Sequence, residues 1–273
     1  MHFRESLPEI HRLSIVSAAI MLAFALTQLV SFPAQLFSFS IFGIALTFFL
    51  DFSTVVTVLT AILAAAGMDW LILSHPDQPE DGMRWRSIRH WILPILTTLV
   101  LGIAMNSFAG SRFWWVAFVM GSMLLISVFI AEYNVAASTG ERHYLARIGL
   151  TGLSFALYLL LVIALFSSDL RLFIRLPLIA LGAVMVMARA LYLRLGEWHI
   201  IWTFVNSLVV SQLAVGLNYL PLSPIQNGLV LVGVAYGLTS FVIGVKESRK
   251  GMAFWAEPLV MMGFLFLIGL FGI

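Results

Sequence analysis

Residues 148–167 read IGLTGLSFALYLLLVIALFS, a stretch of twenty residues without one charged side chain. An α-helix needs about 20 apolar residues to cross a hydrocarbon core of about 30 Å. A transmembrane β-strand would instead show about ten residues of alternating polarity, and this stretch does not alternate. It therefore predicts a transmembrane helix.

Similar apolar segments recur along the whole chain of 273 residues. The composition agrees, since 61% of the residues are hydrophobic and only 10% are charged, whereas soluble domains carry roughly a quarter charged residues. A chain so poor in charge cannot cover a water-facing globule of this size, so its surface must face lipid. We predict an all-α polytopic integral membrane bundle that forms one transmembrane domain over residues 1–273.

Apolar runs and the breakers between them predict about ten spans. The second segment is the most ambiguous, because it is short, rich in Phe and joined to both neighbours by almost no loop. If it is re-entrant or interfacial, nine spans remain. Asp51 and Ser53 form an N-cap signal before the third segment. The ten segments are residues 13–30, 33–50, 53–74, 91–110, 113–131, 148–167, 173–194, 199–219, 224–245 and 253–273.

Lys and Arg are unevenly divided between the two alternating sets of loops. With ten spans, ten of the 15 Lys and Arg residues fall in one set and five in the other; with nine spans the division is twelve to three. Cytoplasmic loops carry the excess of Lys and Arg. We therefore predict a protein of the plasma (inner) membrane whose cytoplasmic loops are 75–90, 132–147, 194–199 and 246–251.

Histidines, carboxylates and arginines converge on this predicted cytoplasmic boundary. One interpretation is an enzymatic site, in which arginine forks hold an anion and a His or Glu acts as general acid or base. A second is a metal site, because His and carboxylate side chains are ordinary metal ligands. A third is that the arginines only set the topology and pair with nearby acids. The convergent residues are His75, His90, His143, His199, Asp69, Asp77, Glu132, Glu141, Glu197, Glu257 and the seven arginines Arg84, Arg86, Arg89, Arg142, Arg147, Arg189 and Arg194.

The candidate catalytic residues within this set are Glu132, His143, His199 and Arg189. Glu132 is the favoured element because it follows directly on a long apolar run. In its ionised form it needs a partner, such as Arg189 or Arg147.

A polar stripe runs along the eighth predicted span. Thr203, Ser207 and Ser211 are spaced by four, Asn218 follows seven residues later, and Asn206 widens the same face. Because amide side chains are costly against lipid, this face should point toward other helices or a cavity. It predicts either hydrogen bonds between helices or the lining of a substrate path.

Small residues spaced by four predict close approach between helices. Gly233 and Gly237 form such a pair on the ninth predicted span, and Gly152 and Ala156 form another on the sixth.

The sequence predicts neither a cofactor nor a metal. It has no cysteine, and its histidines lack the H-x-x-x-H and H-E-x-x-H spacings. The formal net charge of +2 is too small to indicate nucleic acid. The expected partners are membrane lipids and a small or lipid-like ligand, with a membrane-protein partner or a second copy of the chain left open.

Three functional hypotheses follow. The preferred one is transport, by a carrier or flippase for a small or lipid-like molecule. The alternatives are a membrane-embedded enzyme acting on a lipid-linked or phosphate-bearing substrate at the cytoplasmic face, and a structural subunit of a membrane complex. The chain has no aspartate-rich prenyltransferase motif, Walker A motif or Schiff-base lysine in a final span, so the sequence alone does not choose between enzyme, transporter and subunit.

Overall fold

The structure is a computed structural model that describes residues 8–30, 35–41, 44–74, 88–136, 141–168, 170–248 and 251–271. Within these residues the chain forms nine α-helices and one two-stranded β-hairpin, and it divides into two compact units, Met1–His143 and Tyr144–Ile273. Eight of the described helices are long and apolar enough to cross a membrane. The prediction of an all-α membrane protein is therefore confirmed. The prediction of one domain stays a prediction.

The first unit consists of four helices and the hairpin. Its helices pack around a shared apolar core, which includes Ile20 and Phe24 of the first helix and Leu125 and Phe129 of the last. In chain order the elements are α1 Ile10–Leu29, β1 Gln35–Ile41, β2 Ile44–Leu50, α2 Phe52–Ile72, α3 Ile88–Ser107 and α4 Phe113–Ala136.

The two strands of the hairpin, Gln35–Ile41 and Ile44–Leu50, lie in the segment 33–50 that the ten-span prediction assigned to a second helix. Its antiparallel register pairs Phe37 with Phe48 and Ile41 with Ile44. The sequence from Phe37 to Ile41 alternates apolar residues with Ser, a period of two that favours a strand over a helix. A hairpin of two strands also leaves backbone groups unpaired at its outer edges, so it does not span hydrocarbon. The helix predicted for the second segment was therefore wrong. The structure describes nine helices, the number in the nine-span alternative, and eight of them are long and apolar enough to cross a membrane.

The N-cap predicted before the third segment is confirmed. The Asp51 carboxylate accepts a hydrogen bond from the backbone N–H of Thr54 at 2.8 Å, and α2 begins at the next residue, Phe52. A side chain that accepts from the first-turn N–H groups satisfies donors that have no partner inside the helix.

The second unit consists of five helices, and the division between the units falls in the first turn of α5. Tyr158 and Leu161 of α5 pack against Gly182, and Leu159 and Ile163 pack against Gly228. These contacts hold α5 on its two neighbours in the unit. The helices are α5 Glu141–Ser167, α6 Leu172–Leu195, α7 Ile200–Leu217, α8 Pro224–Lys246 and α9 Met252–Phe271.

The glycines of α8 allow α9 to approach closely, as their spacing predicted. A Cβ atom at Gly233 would lie 2.9 Å from Cβ of Leu265, and one at Gly237 would lie 3.2 Å from Cβ of Met262. Gly152 of α5 differs, because a Cβ atom there would meet no described atom within 4 Å. The close helix contact predicted at Gly152 is therefore wrong, and this glycine borders open space.

Candidate functional site

Glu132 lies near the end of α4 and is fully buried in the first unit. Its Oε2 lies 2.8 Å from Nδ1 of His90, which stands in the first turn of α3 and is 1% exposed. A buried carboxylate is stable only where hydrogen bonds or an opposite charge replace its lost hydration. The structure therefore supplies the buried partner that the sequence required for Glu132.

Arg89 completes this buried polar group. Its Nε donates a hydrogen bond to Nε2 of His90 at 2.9 Å. Because Nε2 accepts from arginine, a neutral His90 carries its proton on Nδ1 and donates that proton to Glu132. A guanidinium, a neutral imidazole and a carboxylate thus form a chain whose charges cancel. We call these three residues, Arg89, His90 and Glu132, the polar triad.

The polar triad joins α3 to α4 and has limited capacity for acid–base chemistry as it stands. A general base needs a lone pair within hydrogen-bond reach of the proton that it removes. The lone pair on Nε2 of His90 is already used by Arg89. The arrangement therefore resembles a structural connection between two helices more than a prepared catalytic base.

Sequence reasoning placed His90 in the boundary cluster but did not select it as a site residue. His90 and Glu132 are 42 residues apart in the chain, and no spacing rule connects residues on two separate spans. The only local signal was that both lie next to long apolar runs.

The other candidate catalytic residues lie in different places. Arg189 is fully buried on α6. His143 is half-buried in the first turn of α5, and its Nδ1 has no hydrogen-bond partner within the part of the chain that the structure describes. His199 precedes α7, where its carbonyl accepts from the N–H and the hydroxyl of Thr203. Several other cluster members lie outside the described residues or have side chains that are not described: His75, Asp77, Arg84, Arg86, Glu141 and Arg142.

The polar stripe of α7 is buried within the second unit. The hydroxyl of Ser207 donates to the carbonyl of Ala180 on α6 at 3.0 Å, whereas Ser211 donates to the carbonyl of Ser207 at 2.7 Å. Thr203 and Asn206 are also buried on this face. The bond from Ser207 joins α7 to α6, whereas the bond from Ser211 lies within α7. The role of the stripe as a substrate path stays a prediction.

Asn218, the last residue of the stripe, takes part in a different contact at the end of α7. Its Oδ1 accepts from Nη1 of Arg175 at 2.9 Å, and Nη2 of Arg175 donates to the carbonyl of Ser168 at 2.8 Å. The guanidinium also stands over the ring of Phe166, 5.2 Å from its centroid. Arg175 thus ties together the end of α5, the start of α6 and the end of α7.

A cavity of about 290 Å³ lies in the second unit, where α5 and α9 begin and α6 and α8 end. Its apolar wall includes Ile148, Phe155 and Ile243. Its polar lining is contributed by Arg194, Glu257, Tyr236, Thr239, Ser240 and Thr151. We call this space the amphiphilic cavity, because it offers an apolar wall and charged groups to the same occupant.

A second hollow of about 390 Å³ shares Ile148, Thr151 and Arg194 with the amphiphilic cavity. It adds Arg147 and Glu247 to the charged groups at this end of the unit. The shared residues make the two spaces neighbours. An occupant of the amphiphilic cavity would therefore have further charged groups close by.

Gly152 explains part of the space in the amphiphilic cavity. It lines the cavity on α5 and brings no side chain into it. None of the residues predicted as catalytic or as substrate path lines this cavity. Of the residues that line this cavity, only Arg194 and Glu257 belong to the boundary cluster that the sequence predicts.

The fold and these sites define a polytopic helical membrane protein with an amphiphilic cavity in its second unit. The chain belongs to DUF5656, a family of proteins of unknown function whose family model matches residues 32–272. The matched range includes the hairpin and every helix except α1. No curated protein and no solved structure matches the chain.

Proposed function

We propose that this protein is a carrier or flippase for a lipid-like molecule, and that the molecule binds in the amphiphilic cavity. The observation that supports this proposal is the combination of an apolar wall at Phe155 and Ile243 with charged groups at Arg194 and Glu257. A molecule with a charged head group and an apolar body has the same separation of charged and apolar parts. Binding sites for small molecules are concave and mostly apolar, with a few polar groups that orient the ligand.

The size of the cavity is consistent with this occupant. About 290 Å³ lies near the lower limit of ligand pockets, which span roughly 300–1,000 Å³. A space of this volume accommodates a head group and the adjoining part of a lipid rather than a whole lipid with long chains. The remaining apolar body would then lie along the outer surface of the helices, in the bilayer.

We propose further that this end of the second unit faces the cytoplasm in a plasma (inner) membrane. The helix ends and connections at this end carry most of the Lys and Arg of the unit, including Arg147, Arg194 and Lys246. The positive-inside rule supports this orientation. Without a helical span at residues 33–50, Arg4 and Arg12 join the cytoplasmic set of loops. That set then holds twelve Lys and Arg residues, against three in the opposite set.

A membrane-embedded enzyme is the second candidate, and the polar triad is the observation that favours it. A buried His paired with a carboxylate is a common element of general acid–base sites. This candidate ranks below transport because Arg89 occupies the other ring nitrogen of His90. It would require Arg89 to leave His90 when a substrate binds.

Transport can be tested by occluding the cavity with Gly152→Phe. A Cβ atom at Gly152 meets no described atom within 4 Å, so the ring can enter the cavity without displacing a helix. Phe also has a higher helix propensity than Gly by a few tenths of a kcal/mol, so the fold should be retained. We expect the wild type to accelerate the transbilayer movement of a fluorescent phospholipid in proteoliposomes, and Gly152→Phe to reduce the rate to that of protein-free liposomes.

The matched control is Gly149→Phe. Gly149 lies one turn earlier on the same helix, also meets nothing described within 4 Å and does not line the cavity. It should transport like the wild type. Equal transport by the Gly152→Phe variant and the wild type, or a wild type no faster than protein-free liposomes, would contradict the proposal.

A further inference from the structure

The amphiphilic cavity carries one cationic and one anionic side chain. Arg194 reaches it from the end of α6, and Glu257 reaches it from the first turns of α9. A ligand with a single negative charge would match the arginine but would be repelled by the carboxylate. A head group with both signs of charge matches both residues.

Glu257 is the anionic residue that lines the amphiphilic cavity. Its Oε1 accepts a hydrogen bond from the hydroxyl of Tyr236 at 3.0 Å, and Tyr236 lines the same cavity. A carboxylate has about four acceptor positions on its two oxygens, so it can accept from a primary ammonium in addition to Tyr236. An ammonium can donate such bonds, whereas a quaternary amine has no N–H to donate.

Arg194 is the cationic residue that lines the amphiphilic cavity. Its Nε is bonded to Oε1 of Glu247 at 2.8 Å, and its backbone carbonyl accepts from Nη2 of Arg147 at 3.0 Å. Both contacts hold the residue at the boundary of the cavity through atoms other than its terminal nitrogens. The planar fork of terminal N–H donors on a guanidinium matches the geometry of a phosphate.

We propose that the ligand of the amphiphilic cavity is a zwitterionic phospholipid with a primary amine, whose phosphate binds Arg194 and whose ammonium binds Glu257. This inference rests on the proposed function and specifies the substrate class of the same site. The apolar wall formed by Ile148 and Phe155 receives the glycerol and the first part of the chains. Charge-assisted hydrogen bonds at both ends of the head group provide the selectivity.

The experiment is a lipid titration of the purified full-length protein, monitored by native mass spectrometry. The probes are phosphatidylethanolamine and phosphatidylglycerol with identical chains, so that only the head group differs. We expect the wild type to prefer phosphatidylethanolamine by about tenfold, the effect of one charge-assisted hydrogen bond. Glu257→Gln keeps an accepting oxygen but removes the negative charge, so it should reduce this preference. Arg194→Gln should weaken the binding of both lipids.

Two exposed residues of the same unit provide matched controls. Glu197 lies between α6 and α7 and Arg171 precedes α6, and neither lines the cavity. Glu197→Gln should retain the lipid preference, and Arg171→Gln should retain the affinity for both lipids.

The outcomes separate this inference from the proposed function. A wild type that binds phosphatidylglycerol as well as phosphatidylethanolamine, or a Glu257→Gln variant that keeps the preference, would overturn the zwitterionic assignment while leaving a lipid in the cavity. If Gly152→Phe binds both lipids as the wild type does, the cavity is not the lipid site, and the proposed function and this inference both fail. Equal binding of glycerophosphoethanolamine, which has the head group without chains, would overturn the assignment to a lipid.

Discussion

Replacing Glu132 by alanine should lower the free energy of unfolding by about 3 kcal/mol or more, because it breaks a buried, charge-balanced group. Glu132 is fully buried and bonded to His90 at 2.8 Å. Without the carboxylate, Nδ1 of His90 loses its acceptor, and the charge of Arg89 loses its counterpart in the polar triad. Equilibrium unfolding of the purified protein in mixed micelles measures this loss.

Two further variants distinguish the charge of Glu132 from its hydrogen bond. Glu132→Gln retains an oxygen that accepts from Nδ1 of His90 but removes the negative charge. It should therefore lower the free energy of unfolding by less than Glu132→Ala does. Glu197→Ala, at an exposed carboxylate, should change stability by no more than about 0.5 kcal/mol. If Glu132→Ala and Glu197→Ala lower the free energy of unfolding by the same amount, the polar triad does not stabilise the first unit.

Replacing Gly102 by leucine should destabilise the first unit by about 2 kcal/mol or more, because it inserts a side chain where two helices already touch. A Cβ atom at Gly102 of α3 would overlap the side chain of Thr57 on α2, with Cβ of Thr57 at 2.8 Å. Thr57 cannot rotate away freely, since its hydroxyl donates to the carbonyl of Ser53 at 2.8 Å. The two helices would have to separate.

Gly149→Leu is the control for Gly102→Leu. It makes the same substitution in a helix, at a glycine that meets no described atom within 4 Å. Leucine exceeds glycine in helix propensity by about 1 kcal/mol, so Gly149→Leu should be neutral or stabilising. If both variants lower the free energy of unfolding by a similar amount, the close contact between α2 and α3 is not what limits the size of residue 102.

The hairpin shows how a correct membrane assignment can still give a wrong element. Residues 33–50 are apolar enough to resemble a span, and apolar length was the criterion that assigned them to a helix. The alternation of Phe37, Ser38, Phe39 and Ser40 carried the opposite signal, because a period of two places like residues on one face of a strand. The period of two was the better guide to this segment, whereas the predicted helical span rested on apolar length.

The candidate sites show a different limit. Glu132 could be selected from the sequence because a carboxylate directly after an apolar run is costly to bury without a partner. Its partner could not be selected, because His90 lies on another helix and many boundary residues were equally available. The amphiphilic cavity left no signal in the sequence, since Gly152 was interpreted as a packing residue and proved to border open space.

The chain alone established that this is a helical membrane protein, where most of its helices lie, and that Asp51 caps one of them. These properties are local, because the thickness of the bilayer and the satisfaction of backbone groups act on each segment separately. Only the tertiary structure brought His90 to Glu132 and placed Arg194, Tyr236 and Glu257 around one cavity. Lipid tails are as apolar as leucine, so apolarity does not specify which helix faces meet, and the details of side-chain packing and interhelical hydrogen bonds decide it.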